Sequence, residues 1–180
     1  MAAKRRDKEL EEDLTALLSA RFPGISVSTA YSDRWGRMSV TFRWAGFSGL
    51  LPEERFHRLA AVIPAAFRET RLAGFVWLEL APKESIDSFL KLPRSEDIAR
   101  RARRIHGKLA EIGFFEGLRK RLGASPKKKC GGDFSLAAET LSSKKASASL
   151  ARDARLLFIR HGAYCDCQVM ESVEAAGAGG

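Results

Sequence analysis

Two hydrophobic periods divide this chain. Over residues 7–21, Leu10, Leu14, Leu17 and Leu18 recur at spacings of four, three and one, which places them on one face of a helix that Pro23-Gly24 stops. Ile25 to Ala30 reads as a short strand. After turn residues from Ser32 to Gly36, the positions Met38, Val40, Phe42 and Trp44 alternate with Arg37, Ser39, Thr41 and Arg43, the period of a half-buried strand. Pro52, Glu53 and Glu54 open a helix, as proline and acids favour in a first turn, and its inner face carries Leu59, Val62, Ile63 and Phe67. Pro64 predicts a kink or a break into two short helices. Phe75 to Leu80 is a short apolar run bounded by Gly74 and Pro82, a buried strand. Residues 1–82 therefore predict helix, strand, strand, helix, strand, and a short helix over 83–92 follows.

From there the period stays helical. Ser95, Glu96 and Asp97 form an N-terminal cap, and Ile98, Ala102, Ile105, Leu109 and Ile112 follow at spacings of four, three, four and three. Gly113 ends that helix. Phe114, Phe115, Leu118 and Leu122 predict another, weakened by Gly117, and Gly123 to Lys129 reads as an exposed linker. Helices are expected near Phe134 to Leu141 and near Leu150 to His161, with Gly162 as C-cap. Tyr164 to Met170 looks like a strand or extended loop, and the Ala- and Gly-rich end over 174–180 like a frayed tail. The expected fold class is α+β. An N-terminal domain spans 1–92, a basic helical connector 93–129, a small α+β cysteine-bearing module 130–173, and a disordered tail 174–180.

Charge sharpens this division. Residues 1–98 hold 15 basic and 14 acidic groups and residues 131–180 hold five and six, so both nearly cancel. Residues 99–130 carry eleven basic groups against Glu111 and Glu116, which accounts for the net charge of +9 of the 180-residue chain. A field concentrated this way suits a polyanion or an acidic protein face. The candidate nucleic-acid contacts are Arg100, Arg101, Arg103, Arg104, Lys108, Lys127, Lys128 and Lys129, which would neutralise phosphates without reading bases. The plain alternative is a solvated helix face and a charged linker. The longest uncharged apolar stretch, Leu59 to Phe67, is far short of the ~20 residues of a membrane helix. Acidic residues after Arg6 stand where a signal peptide would turn apolar, so a cytoplasmic location is expected.

The order of elements, with the leucine helix ending in Phe22-Pro23, Phe42-Arg43-Trp44-Ala45-Gly46-Phe47-Ser48-Gly49, Glu54-Arg55-Phe56-His57-Arg58-Leu59 and Leu78-Glu79-Leu80-Ala81-Pro82-Lys83-Glu84, resembles the BolA-like family over residues 8–85. That resemblance implies a KH-like αββαβ domain serving as a protein-interaction platform, with His57 and Arg58 as partner-binding positions. The family's histidine that ligates a shared iron–sulfur cluster has no counterpart in Ala73-Gly74-Phe75-Val76, and Tyr31 to Gly36 hold no histidine or cysteine. Gly46-Phe47-Ser48-Gly49 spells Gly-x-x-Gly but follows a strand, where a nucleic-acid clamp of that type joins two helices. The C-terminal segment, opening on Cys130 and closing on Gly162-Ala163-Tyr164-Cys165-Asp166-Cys167-Gln168-Val169, is similar to an uncharacterised bacterial domain that ends in a Gly-Tyr-Cys-Asp-Cys-Glu-Val type motif.

Three cysteines, an odd number, read as thiols or ligands before disulfides in a reducing compartment. On a strand Cys165 and Cys167 would share one face and Asp166 the other. With Cys130 and His161 they make a Cys3His set suited to a structural zinc ion. Two other readings stand beside it: buried small residues with His161 merely finishing a helix, or thiol redox or iron–sulfur-related adaptor chemistry. Catalysis finds little support. Glu53 and Glu54 have a dipole role, a lone His57 more often caps or packs than acts as a base, and no Gly-x-Ser-x-Gly, His-Glu-x-x-His or phosphate-binding loop occurs. The expectation is a non-enzymatic binding or regulatory protein with a protein partner and no membrane association, zinc as its cofactor, and nucleic acid as the alternative partner.

Overall fold

The computed structural model describes residues 6–174. The chain is mixed α+β and divides into two compact units, Met1–Leu92 and Pro93–Gly180.

In the first unit, Asp7 accepts a hydrogen bond from the Leu10 N–H and starts helix α1 (Lys8–Leu18). Leu10, Leu14 and Leu18 are fully buried, whereas Leu17 stays 37% exposed at the edge of the apolar stripe. Helix α1 packs on β1 (Ser26–Ser32), which pairs antiparallel with β2 (Arg37–Arg43). Strand β3 (Val76–Leu80) joins β2 in parallel, giving the order β1-β2-β3. A parallel return requires a crossover. It is supplied by α2 (Pro52–Ala60) and α3 (Ala65–Thr70), with Pro64 at the break between them.

Register decides which residues share a core. Val40 lies opposite Trp77 and Phe42 opposite Glu79, and the Phe42 and Trp77 rings approach to 5.3 Å on one face. Leu78 and Leu80 point the other way and cluster with Phe89 of α4 (Ile86–Leu90). Both faces of β3 are thus covered, which explains its continuous apolar run. Arg55, only 2% exposed, ties α2 to the end of β3: it donates to the Leu50 carbonyl at 2.9 Å and the Glu79 carbonyl at 2.6 Å, and pairs with Glu84. Gly46-Phe47-Ser48-Gly49 is a turn after β2 with Phe47 fully buried.

The described residues of the second unit form helices and turns only. A 3-10 turn over Ser95–Arg101 precedes α5 (Ala102–Glu111), α6 (Phe114–Leu122), α7 (Pro126–Lys129), α8 (Ser135–Ser143), α9 (Ala148–Arg160), the single turn α10 (Asp166–Gln168) and a π turn over Val169–Glu174. Three expectations are corrected here. The segment 93–129 is part of the compact unit Pro93–Gly180 instead of a connector ahead of a separate module, because Ile98, Ile105, Leu109, Phe114, Leu118 and Leu122 are buried while α5 packs on α9 and α6 on α8. The C-terminal module holds no strand among its described residues: the expected extended stretch at 164–170 turns helical at Asp166, where the Gln168 side chain reaches back to accept the Tyr164 N–H at 2.8 Å. Glu174, placed at the start of a tail, closes the π turn and pairs with Arg119. The remainder of that tail lies outside the described residues.

Candidate metal centre

The chain reaches Cys130 at the end of α7, whose helical turn stops in extended backbone at that residue. Gly132 then takes φ +79°, a left-handed turn that glycine adopts without strain. The backbone amides of Gly132 and Cys167 lie close enough to the Cys130 sulfur to favour its thiolate form. Further along the chain, α9 closes at His161 with left-handed Gly162 (φ +75°). Ala163 N–H returns to the Phe158 carbonyl at 2.9 Å and Gly162 N–H to the Ile159 carbonyl at 2.8 Å, a Schellman ending. Cys165 is extended, and its carbonyl accepts the Val169 N–H as the next turn begins.

Asp166 clamps these two stretches of chain together. Its N–H donates to the Asp133 carbonyl at 2.9 Å. Its carboxylate, fully buried, accepts the Leu136 N–H at 3.0 Å and the Ala137 N–H at 2.8 Å at the start of α8. A carboxylate suits that place, because the first amides of a helix have no intrahelical acceptor. Burial pushes the Asp166 carboxyl up, and the two amides offset part of that shift. With Asp166 directed at α8, the side chains on either side of it turn toward Cys130.

The outcome is a cluster of three sulfurs, all within 4.8 Å of one another. Cys165 Sγ and Cys167 Sγ stand 3.3 Å apart, beyond covalent distance, and all three thiols are free and half-buried. Tetrahedral zinc with Zn–S of about 2.3 Å needs sulfurs about 3.8 Å apart, so one ion fits with sub-ångström adjustment. The Gly132 and Cys167 amides near Cys130, and the Gln168 amide near Cys165, favour thiolate. Burial pushes the Cys130 thiol up, yet the Cys167 and Gly132 amides and the neighbouring thiols outweigh it and hold Cys130 below the ordinary thiol range. Burial, reinforced by Cys130, pushes Cys165 up to about 12. Burial and Cys130 raise Cys167 as well. The lowered pKa makes Cys130 the first of the three thiols to lose its proton, and a divalent ion would displace the others.

His161 does not belong to this set: the ligand atoms that converge are those of Cys130, Cys165 and Cys167. The reason is the Schellman turn, which separates His161 from Cys165. His161 remains on the last turn of α9, where burial, Arg160 and His106 push its pKa down. The roles of Asp166, Gly132 and Gln168 were missed from sequence, although the three-residue interval from Cys165 to Gln168 is a capping-box spacing that signals a helix start.

The basic residues are distributed unevenly. Arg101 donates to Asp153 at 2.8 Å and Arg121 to Glu139 at 2.9 Å, so both are neutralised within the unit. Arg100, Arg103, Arg104, Lys108, Lys127, Lys128 and Lys129 are exposed. In the first unit His57 is exposed on α2, with its pKa lowered by burial, and Arg58 beside it is half-buried. No helix among the described residues is long and apolar enough to cross a membrane. Compared with known proteins, the chain matches no family model, and no curated protein and no solved structure matches it significantly.

Proposed function

We propose that this chain is a non-enzymatic metal-binding protein whose second unit takes one thiophilic divalent ion, zinc, on Cys130, Cys165 and Cys167. The observation that carries the reading is the convergence within 4.8 Å of the Cys130 sulfur and two others 35 or more positions away in the chain. Thiolates are soft donors that select zinc over magnesium or calcium, and the ion would cross-link the loop after α7 to the turn after α9. The first unit is read as a BolA-like interaction platform for a protein partner, with His57 and Arg58 at the contact. Support comes from its element order and from the parallel pairing of β2 with β3. Elemental analysis of purified full-length protein should find about one zinc per chain, and Cys165→Ser should lose it. Protein that stays free of metal after dialysis against a zinc buffer would refute the reading.

A second reading, nucleic-acid binding through the basic face, is supported by the exposure of Arg100, Arg103, Arg104 and Lys108 beside a neutralised Arg101. Affinity for single-stranded nucleic acid should then fall steeply with salt, and replacing those four residues by Gln should flatten the slope. Absent or salt-independent binding removes it.

A further inference from the structure

We infer that the ion held by Cys130, Cys165 and Cys167 keeps one coordination position for a thiolate from outside the chain, which makes this an exchange centre rather than a closed structural one. This rests on the metal reading above. Structural zinc sites are closed by four protein ligands, whereas sites with three keep a position for an exchangeable group. Among the described residues the convergent donors number three, all sulfur. The nearest expected fourth donor, His161, is held on α9 by the turn at Gly162. Residues 1–5 and 175–180 contain no Cys, His, Asp or Glu to complete the set.

Two further features decide what enters. All three cysteines are half-buried, so each keeps part of its surface in contact with solvent. Three thiolates around a divalent ion leave one net negative charge, which by itself would repel an anionic fourth ligand. Lys127, Lys128 and Lys129 directly precede Cys130 in the chain and are exposed, and Glu171 lies near enough to raise the Cys167 thiol. Three sulfurs already on the metal favour a fourth soft donor over water or carboxylate. The ligand class is therefore a thiolate, supplied either by a free thiol or by a cysteine of a partner protein. No bond other than metal–sulfur forms, and the incoming thiol loses its proton to solvent.

The test uses full-length protein loaded with cobalt(II), whose visible bands report coordination and whose near-ultraviolet sulfur-to-cobalt charge transfer grows with each thiolate. Free cysteine is titrated in, with serine as control, and a short cysteine-containing peptide with its alanine counterpart forms the parallel arm. The inference expects saturable growth of charge transfer by about one third with either thiol, none with serine or alanine, and an unaltered spectrum in His161→Ala. Saturation by the peptide at lower concentration than by cysteine assigns the position to a partner's cysteine, and the reverse order assigns it to a free thiol. A spectrum that ignores thiol, that collapses as thiol removes the cobalt, or that changes in His161→Ala overturns the inference while leaving the metal centre intact. Failure to bind cobalt at all overturns both.

Discussion

Asp166 does more for the cysteines than either of its neighbours could do alone. Its carboxylate takes two amides of α8 and its own amide holds the Asp133 carbonyl, so the turn carrying Cys165 and Cys167 is fixed against the turn carrying Cys130. Asp166→Ala should cost about 1–2 kcal/mol as a lost cap and weaken metal affinity about 10- to 100-fold as a lost positioning residue, read by urea unfolding and by competition with a chromophoric chelator. In the first unit, Glu11 plays a comparable part. Its pairing with Arg6 is the main reason its carboxyl lies below the ordinary range, with burial opposing and Thr29 assisting through its N–H and hydroxyl. Burial would raise Glu84, but Arg55 and the Ala81 N–H more than compensate, so it too is lowered. A carboxyl depressed on folding stabilises above its unfolded pKa of about 4.3 and loses that contribution as pH falls through the folded value. Urea midpoints followed by tryptophan fluorescence should therefore drop on acidification below about pH 4.3. The drop should be shallower in Glu11→Gln, and equal slopes in both proteins would remove this assignment.

Among the elements, the contrast between two glycines separates propensity from packing. Gly117 lies within α6, where a Cβ would stand 2.9 Å from Thr140 Cγ2 of α8. Gly107 lies in α5 with nothing within 4 Å of that position. Helix propensity alone treats both as defects. Packing reverses the first: Gly117→Ala should destabilise by about 1–3 kcal/mol by forcing α6 from α8, whereas Gly107→Ala should stabilise by about 0.5–1 kcal/mol. Circular dichroism melts of the two variants give the signs directly. The helix over 95–112 shows a related limit. Its apolar spacing was legible, but the segment Ser95–Arg101 is 3-10, with Asp97 Oδ2 accepting the Arg94 N–H at 2.7 Å, and apolar periodicity does not distinguish that form from α-helix.

For the whole molecule, the two units carry separate reporters. Trp35, Trp44 and Trp77 all belong to Met1–Leu92, while the three cysteines belong to Pro93–Gly180. Zinc at a hundredfold excess over its dissociation constant stabilises the state that binds it by about 2.7 kcal/mol. Unfolding followed by far-ultraviolet circular dichroism, which sees both units, should gain a later zinc-dependent transition that chelator abolishes, while the tryptophan transition stays in place. A tryptophan transition that moves equally with zinc would contradict separate unfolding.

What the sequence determined by itself was the periodic part of the molecule. The leucine helix, the alternating β2, the apolar β3, the break at Pro64 and the Gly162 helix end depend on neighbours a few positions apart, so side-chain spacing and backbone preference suffice to read them. The candidate centre was legible only as composition: Cys130, Cys165 and Cys167 stood out as residue types, and His161 stood out equally. Tertiary structure decided between them, because convergence over 35 positions depends on where two turns place the chain. With the Asp166 carboxylate buried at the start of α8, the stretch expected to be extended turns helical from Asp166 onward, leaving only Tyr164 and Cys165 outside helix. The same long-range packing made the basic stretch part of a core: its apolar face at Ile98, Ile105 and Leu109 was readable from spacing, and only the fold shows that α9 covers it.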